Sequence, residues 1–594
     1  MIPTTVITES PRLFDGLPTA ATATPALSIH QRDVPPAPSK HLVLTDQTNL
    51  LPFKTIVTVF MGLACCVVVS SLDSVVVATA LPTVSEVFHA GSVISWVPSA
   101  YFLTSAAFQP MYGRLSDIFG RKATLFFAMA TFVVGSLAAG FSRDIVELIF
   151  FRAVAGAGGG GILSLTQIII SDIVSLQERG KYQGIIISVN GLANAIGPPL
   201  GGALAEKASW RWCFWITIPI ALGSMVVIHF ALPLKRVQGD MKRKWLAIDY
   251  LGAALTLAGC TLIVLPLIWG GVTFPWSSPN IIAPLLSGLL VVVLFCVWEW
   301  RGARLPIVPM HIFKHKTVTG VLMCMFVNGF IFYSSLFYLP QFFQVALGFS
   351  PIRAGTFVLP IPLGLSVANI SSGYIVSRTS RYRILIYSGF LLWAIGCGCI
   401  STITPATPKA LVVFLMIISG LGAGMTQQTS TIAAQASVPR KDMAIVIAMW
   451  NLTRLLGCTL SIAISASLIN NFLRKFMASF LISPASITAI VNNPALLGIS
   501  GNTSELSSLG IVPSEAALIL SRGYNRGFKY LFILHACLAV LAALVSFLMV
   551  KETSLLRGDE EELRQDASQA VKLVERRRKR AEQGFPVDED DKAL

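Results

Sequence analysis
Fourteen runs of about twenty apolar residues leave this chain few folds to choose from. They fall near 55–81, 93–113, 123–141, 146–171, 182–205, 211–233, 247–270, 279–300, 317–346, 354–377, 384–404, 409–434, 443–470 and 527–550. About twenty residues of α-helix cross a bilayer core. Lipid offers the backbone no hydrogen-bond partners, so each run has to close its own bonds as a helix. Of 594 residues, 54% are hydrophobic and 13% charged, where a soluble protein carries about 25% charged. The fold class predicted is an all-α polytopic membrane protein with fourteen spans.

Lysine and arginine gather in alternate loops. One set holds Arg114, Arg121 and Lys122; Arg179 and Lys181; Lys235, Arg236, Lys242, Arg243 and Lys244; Arg301, Arg304, Lys314 and Lys316; Arg378, Arg381 and Arg383; Arg440 and Lys441. The opposite short loops hold only Arg143, Lys207, Arg211, Arg353 and Lys409. This bias places the N-terminus and the richer loops in the cytoplasm. The net charge of +15 is then topological, with a share for anionic lipid, and does not point to nucleic acid. The loop near 471–526 is also basic, but charge in long loops counts less.

Residues 1–53 are rich in Pro, Thr and Ala and lack a signal-type apolar core, which predicts a disordered cytoplasmic tail. Residues 551–594 are expected to form a charged cytoplasmic tail, in which RRRKR at 576–580 is a solvated or lipid-touching helix. The external loop near 471–526 carries Asn502-Thr503-Ser504, an N-x-T acceptor expected to be glycosylated. The sequons at Asn369 and Asn451 lie inside apolar runs and should be unreachable. All ten cysteines fall within or beside such runs, so neither disulfides nor a metal site is expected.

Asp73 is the sharpest anomaly, the only ionisable side chain besides cysteine between Thr55 and Leu81. On a helix it lies about 28 Å from Lys54. A carboxylate at that depth costs several kcal/mol unless it is protonated, paired or facing a wet cavity. Two readings are open: it hydrogen-bonds a neighbouring helix, or it binds and releases a transported proton. The runs near 317–346, 354–377, 384–404, 409–434 and 443–470 contain no Asp or Glu, while Glu147, Asp172, Asp249 and Glu299 lie near run ends. Arg152, six residues into the fourth run, either snorkels to the outer surface or pairs with Asp73. Arg454 is a lone cation in the thirteenth run, and either hydrogen-bonds backbone carbonyls or orients a substrate.

Gly113, Asp117, Gly120 and Arg121 align with Gly373, Ser377, Ser380 and Arg381 at a constant offset of 260. A decayed parallel repeat of this kind fits two six-helix bundles. The expected organisation is a bundle over 54–233, two linking spans over 234–300, and a second bundle over 301–550. Gly156, Gly158 and Gly161 satisfy G-x-G-x-x-G, but no strand precedes them and close helix packing is the better reading. No G-x-x-x-x-G-K-[ST], H-E-x-x-H or Ser/His/Asp signature occurs. No catalytic residue or cofactor is expected, and the chain is read as no enzyme.

The loop GRLSDIFGRKATLF, with Gly113, Asp117, Gly120, Arg121 and Lys122, resembles the signature loop of the major facilitator superfamily. Four further stretches agree: LIFFRAVAGAGGG with Arg152; NAIGPPLGG, similar to the antiporter motif through Gly197, Pro198, Gly201 and Gly202; SLDSVVVATALP; and WRWCFWITIPI. The last two resemble the fourteen-span drug:proton antiporter branch. Weaker resemblance runs through YLPQFFQVALGFSP, RYR and NLTRLLG, so that it covers roughly 55–550. It implies the major facilitator fold, a cavity between the bundles, and Asp73 with Arg152 as the proton-coupling pair. Gly197 and Pro198 are expected to bend the fifth span where the bundles meet.

Cavity candidates are Gln167, Asn190, Asn194, Asn328, Gln427, Gln428 and Arg454, with the aromatics Tyr101, Phe332, Tyr333 and Trp450. A few carboxamides amid aromatic rings suit a large amphipathic substrate better than a sugar. The expected function is proton-coupled export of amphipathic small molecules such as drugs, toxins or secondary metabolites. The expected partners are that substrate, protons and the lipid bilayer, for a monomer in the plasma membrane. Two alternatives stay open: a vacuolar transporter of basic amino acids, and a receptor or scaffold without transport.

Overall fold
The computed structural model describes residues 50–77, 80–89, 93–94, 96–232, 241–246, 248–270, 274–480 and 511–555, with 482–483, 486–487, 490–491, 497 and 565. Asn502, the stretch 1–49, Lys235, Arg236 and the RRRKR stretch lie outside these residues, and so do the expectations placed on them.

Each apolar run yields one long helix. In order they are α1 (Phe53–Val76), α2 (Trp96–Phe119), α3 (Arg121–Phe141), α4 (Ile145–Ile173), α5 (Leu176–Lys207), α6 (Thr217–Ala231), α7 (Tyr250–Trp269) and α8 (Pro279–Arg301). There follow α9 (Lys316–Leu347), α10 (Pro360–Thr379), α11 (Arg383–Ile400), α12 (Lys409–Ala436), α13 (Arg440–Met477) and α14 (Asn525–Met549). Local chemistry sets several starts. The side chains of Asp144, Ser175, Asp249 and Ser278 accept from backbone N–H groups in the first turns of α4, α5, α7 and α8, which satisfies donors that a helix start leaves orphaned.

Twelve helical segments among the described residues are long and apolar enough to cross a membrane by length and composition. The long helices not among them are α2 and α5. The reason is where they sit. Gln109, Arg114 and Asp117 of α2 and Arg179 and Gln183 of α5 are buried against protein, where a polar side chain is tolerated at membrane depth.

Apolar packing separates along the chain. One buried cluster draws mostly on α1 to α6, through residues such as Leu63, Phe132 and Ile168, and reaches Ala444 and Ile447 of α13. A larger one draws mostly on α9 to α14, through Phe342, Phe390, Trp393 and Phe528. The two sets of helices touch along two seams, α2 on α13 and α5 on α10. α7 and α8 pack on each other, and α7 also lies on α2 and α13. α8 exposes Leu286, Leu289, Leu290, Val293 and Val297, the face such a helix turns to lipid.

The offset of 260 between the loop motifs has a counterpart in the backbone. Gly120 has φ 95° and Ser380, its aligned residue, φ 57°. Both halves therefore turn their loop through a left-handed residue, although only the first keeps glycine there. Left-handed backbone costs an L-residue about 1–2 kcal/mol. Ser380→Gly is expected to raise stability by about 1 kcal/mol, read as a higher midpoint of thermal unfolding in detergent. An unchanged or lower midpoint would mean that the serine hydroxyl compensates the strain.

Candidate functional site
A cavity opens between the two sets of helices, and helical spacing explains its lining. Residues three or four apart share a helix face. Ser70, Ser71 and Ser74 come from α1; Tyr101, Ser105 and Gln109 from α2; Leu163 and Gln167 from α4; and Ile186, Ile187, Asn190 and Asn194 from α5. The other side supplies Tyr333 from α9, Gln427 from α12, and Trp450, Asn451, Arg454 and Leu455 from α13. Asn194 Nδ2 donates to Asn190 Oδ1 at 2.9 Å, and Asn451 Nδ2 donates to Gln167 Oε1 at 2.8 Å. The second bond crosses from α13 to α4.

Of the candidates read from sequence, Gln167, Asn190, Asn194, Gln427 and Arg454 line the cavity, as do Tyr101, Tyr333 and Trp450. Three do not. Asn328 is buried behind Arg454, accepting from its Nε at 3.1 Å and donating to Thr426 Oγ1 at 3.1 Å. Phe332 is buried beside the same guanidinium. Gln428 points to the α5 seam, where its Nε2 donates to the Gly180 carbonyl at 2.6 Å. Gln427 faces the cavity, while Gln428, about 100° further round the same helix, is turned to α5. Asn451 and the α1 serines went unnoticed as cavity residues. The signal for Asn451 was its spacing to Arg454, three residues on along the same face.

Asp73 and Arg152 meet. Arg152 Nη1 lies 2.6 Å from Asp73 Oδ2, and both side chains are 0% exposed. Arg152 therefore does not snorkel. Its guanidinium stacks over the Tyr101 ring at 4.4 Å and has the Phe214 ring at 5.6 Å. The pair is incompletely satisfied, since Asp73 Oδ1 and Arg152 Nε and Nη2 have no hydrogen-bond partner among the described residues.

A thin polar layer separates the pair from the cavity. Ser70 and Tyr101 line the cavity. The Ser70 hydroxyl donates to Gly159 O at 3.1 Å and lies 3.3 Å from the Tyr101 hydroxyl. The glycines of α4 make this fit possible. A Cβ on Gly159 would strike the Tyr101 hydroxyl, and one on Gly160 would lie 2.7 Å from Ser105 Oγ. Gly158 abuts α3 at Phe132, and Gly161 abuts Tyr112. The G-x-G-x-x-G pattern is thus spent on helix contacts.

The signature loop forms a second charged cluster. Arg121 Nη1 lies 2.5 Å from Asp117 Oδ1 and 2.6 Å from Ser116 Oγ, and Arg121 Nε lies 2.7 Å from Asp172 Oδ2. Asp172, set aside in the sequence as a run-end residue, is a full member. Lys122 Nζ donates to the carbonyl of His229 at 2.6 Å and to that of Leu232 at 3.3 Å, satisfying acceptors at the end of α6. Arg121→Gln removes the cation that bridges two buried carboxylates, leaving Asp117 with Arg114 at 3.7 Å, and is expected to destabilise by about 3 kcal/mol. Arg121→Lys should lose much less. Thermal unfolding of the purified variants checks this; equal losses would show that shape and not charge holds the cluster.

Contacts across the seams gather at this same end. Arg179 Nη1 donates to Gln435 Oε1 at 3.0 Å, and Gln177 Nε2 donates to Ser377 O at 3.3 Å. Gly113 faces Ala444 and Ala448 of α13, while Gly180 and Gly373 place α5 backbone against α10 backbone. The first and second copies of the loop motif thus each press their leading glycine on the opposite half. Gly197 does not lie on a seam. A Cβ there would strike Val75 of α1, two residues from Asp73. Gly201 O accepts a weak bond from Cys213 Sγ at 3.7 Å, and a Cβ on Gly202 would meet nothing within 4 Å. α5 meets α10 through Gly180, Gly184 and Gly191 instead, so the expected bend between bundles at Gly197 is corrected to a contact with α1. The side chain of Pro198 is outside the described set.

The profile of the Major Facilitator Superfamily matches residues 63–462. The chain belongs to the major facilitator superfamily. This facilitator is similar to "Efflux pump dotC" of Dothistroma septosporum, 33% identical over 505 residues that cover 85% of this chain and 86% of that one. It is also similar to "Citrate exporter 1" of Yarrowia lipolytica, 35% identical over 429 residues, 72% of this chain and 64% of that one. Among solved structures it shares the fold of the proton:xylose symporter XylE at a TM-score of 0.51 and 16% identity, covering 84% of this chain and 97% of that one. It is a multi-pass membrane transporter of small molecules and not an enzyme.

Proposed function
We propose that this facilitator exports amphipathic small molecules in exchange for protons by alternating access between two six-helix bundles over 54–233 and 301–550. The observation that carries this reading is the Asp73–Arg152 pair, fully buried about one helical turn behind the cavity wall. A carboxylate so placed has two low-energy states, paired as an anion or neutral with a proton, and the cavity contents decide between them through Tyr101 and Ser70. Relatives named efflux pump and citrate exporter support the outward direction. The seam contacts around Arg179, Gly180 and Gly373 support reading this conformation as closed toward the cytoplasm. Two linking spans, α2 and α5 as full spans, a monomer, and the plasma membrane complete the proposal. The basic-amino-acid alternative is disfavoured, because no carboxylate lines the cavity among the described residues.

The test uses inside-out vesicles from a host expressing the chain, given an imposed pH gradient. Uptake of a fluorescent amphiphile should follow the gradient, stop with a protonophore and be absent from control vesicles. Uptake that ignores the protonophore, or that needs ATP, would refute proton coupling.

A further inference from the structure
Arg454 is a half-buried cation inside the second bundle. It lies fourteen residues from the start of α13, about 21 Å along the helix. Arg152 has Asp73, and Arg121 has Asp117 and Asp172. Arg454 forms no ion pair among the described residues. Asn328 Oδ1 accepts from its Nε at 3.1 Å, and the rings of Tyr333 and Phe332 lie 5.2 and 5.6 Å from it. These contacts aim the guanidinium without neutralising it. A cation held at membrane depth with only neutral partners is costly, and attraction to an incoming anion is strong where water is scarce.

The surrounding groups agree on the sign of the missing charge. Arg454 is the one charged residue lining the cavity among those described. Trp450, four residues earlier on the same helix face, is 1% exposed, lines the cavity, and its Nε1–H has no partner among the described residues. Two donors four residues apart on one helix face suit one acid group. Gln109 and Gln427, also in the wall, each have an amide oxygen without a partner, which suits hydroxyl donors elsewhere on the ligand. The rings of Tyr333 and Trp450 offer apolar area to the remainder.

We infer that the cavity binds an organic anion bearing hydroxyl groups on an apolar or aromatic frame, its acid group held by Arg454 and Trp450 Nε1–H. This rests on the export function proposed above. Arg454 supplies the charge that the substrate neutralises, and a cationic substrate is repelled by it.

Inside-out vesicles with an imposed pH gradient test this, using carboxyfluorescein and salicylate as anions and rhodamine 6G as the cation. Wild type should accumulate the anions, Arg454→Lys should keep a substantial part of that uptake, and Arg454→Gln should lose at least tenfold while its rhodamine 6G uptake stays level or rises. In detergent, the anions should raise the unfolding temperature of wild type and of Arg454→Lys but not of Arg454→Gln. The inference is overturned if wild type takes up rhodamine 6G alone, if Arg454→Gln handles anions like wild type, or if Arg454→Lys is as impaired as Arg454→Gln. Gradient-driven flux of none of the probes, with correctly inserted protein, overturns the export reading itself and this inference with it.

Discussion

Asp73→Asn is expected both to abolish gradient-driven transport and to destabilise the protein by about 3–5 kcal/mol. The isosteric amide cannot cycle a proton, and it leaves Arg152 buried, charged and without its counter-ion at 0% exposure. Removing one partner of a buried pair costs about that much, because the other charge stays uncompensated. Asp73→Asn combined with Arg152→Gln removes both charges, so most of the stability should return while gradient-driven accumulation stays absent. The two effects then separate in one thermodynamic cycle. If Asp73→Asn unfolds at the wild-type temperature, the pair is not an ion pair in the resting protein. If the double variant accumulates substrate under a pH gradient, neither residue carries the proton.

Gly373→Leu should stop turnover by a different route. A single Cβ at 373 would strike the Gly180 carbonyl, backbone against backbone, so neither side can yield by changing a rotamer. The leucine wedges α5 from α10 at the end that holds the Asp117 cluster. Overpacking of this kind costs about 1–3 kcal/mol, and it bears on only one of the two alternating states. A cysteine introduced as Asn190→Cys in the cavity wall should then react with an impermeant thiol reagent from the Asp117 side, where the same cysteine in the parent protein is protected. Gly398→Ala, whose Cβ meets nothing within 4 Å, serves as the control and should transport normally. Normal transport by Gly373→Leu, or unchanged labelling, would show that this seam does not close the cavity.

Sequence reading succeeded where one physical rule dominates a long stretch. Apolar runs in lipid must be helical, so each run produced its helix, with the largest departures at short-range features. The first run predicted to 81 ends at Val76 and is followed by a short helix from Leu81, and the helix begun at Pro351 breaks before Pro360, which has no N–H to donate. The Asp73–Arg152 neighbourhood was legible because a carboxylate in an apolar run has few tolerable fates. Cavity residues were harder. Sequence gives helix face only relative to other residues of the same helix, so Gln427 and Gln428 were equivalent until α12 met α5 at Gly180. Asp172 looked like a run-end residue because run boundaries do not show which end charges cross-link; Arg121 reaches it from another helix. Gly197 was misplaced for a related reason: a glycine announces a close approach but not which helix approaches. Arg454 showed its lack of a carboxylate in sequence, but its opening to the cavity beside an unpartnered Trp450 N–H is a fact of packing.

The central claim, that Asp73 couples substrate movement to protons, is tested most directly by purified protein in liposomes loaded with a transported compound. Two rates are compared for wild type and for Asp73→Asn in the Arg152→Gln background: exchange of labelled for unlabelled compound at equal pH, and accumulation against a concentration gradient under an imposed pH difference. The account predicts that the variant exchanges at a rate near that of wild type and accumulates nothing. Accumulation by the variant to the wild-type level would contradict it.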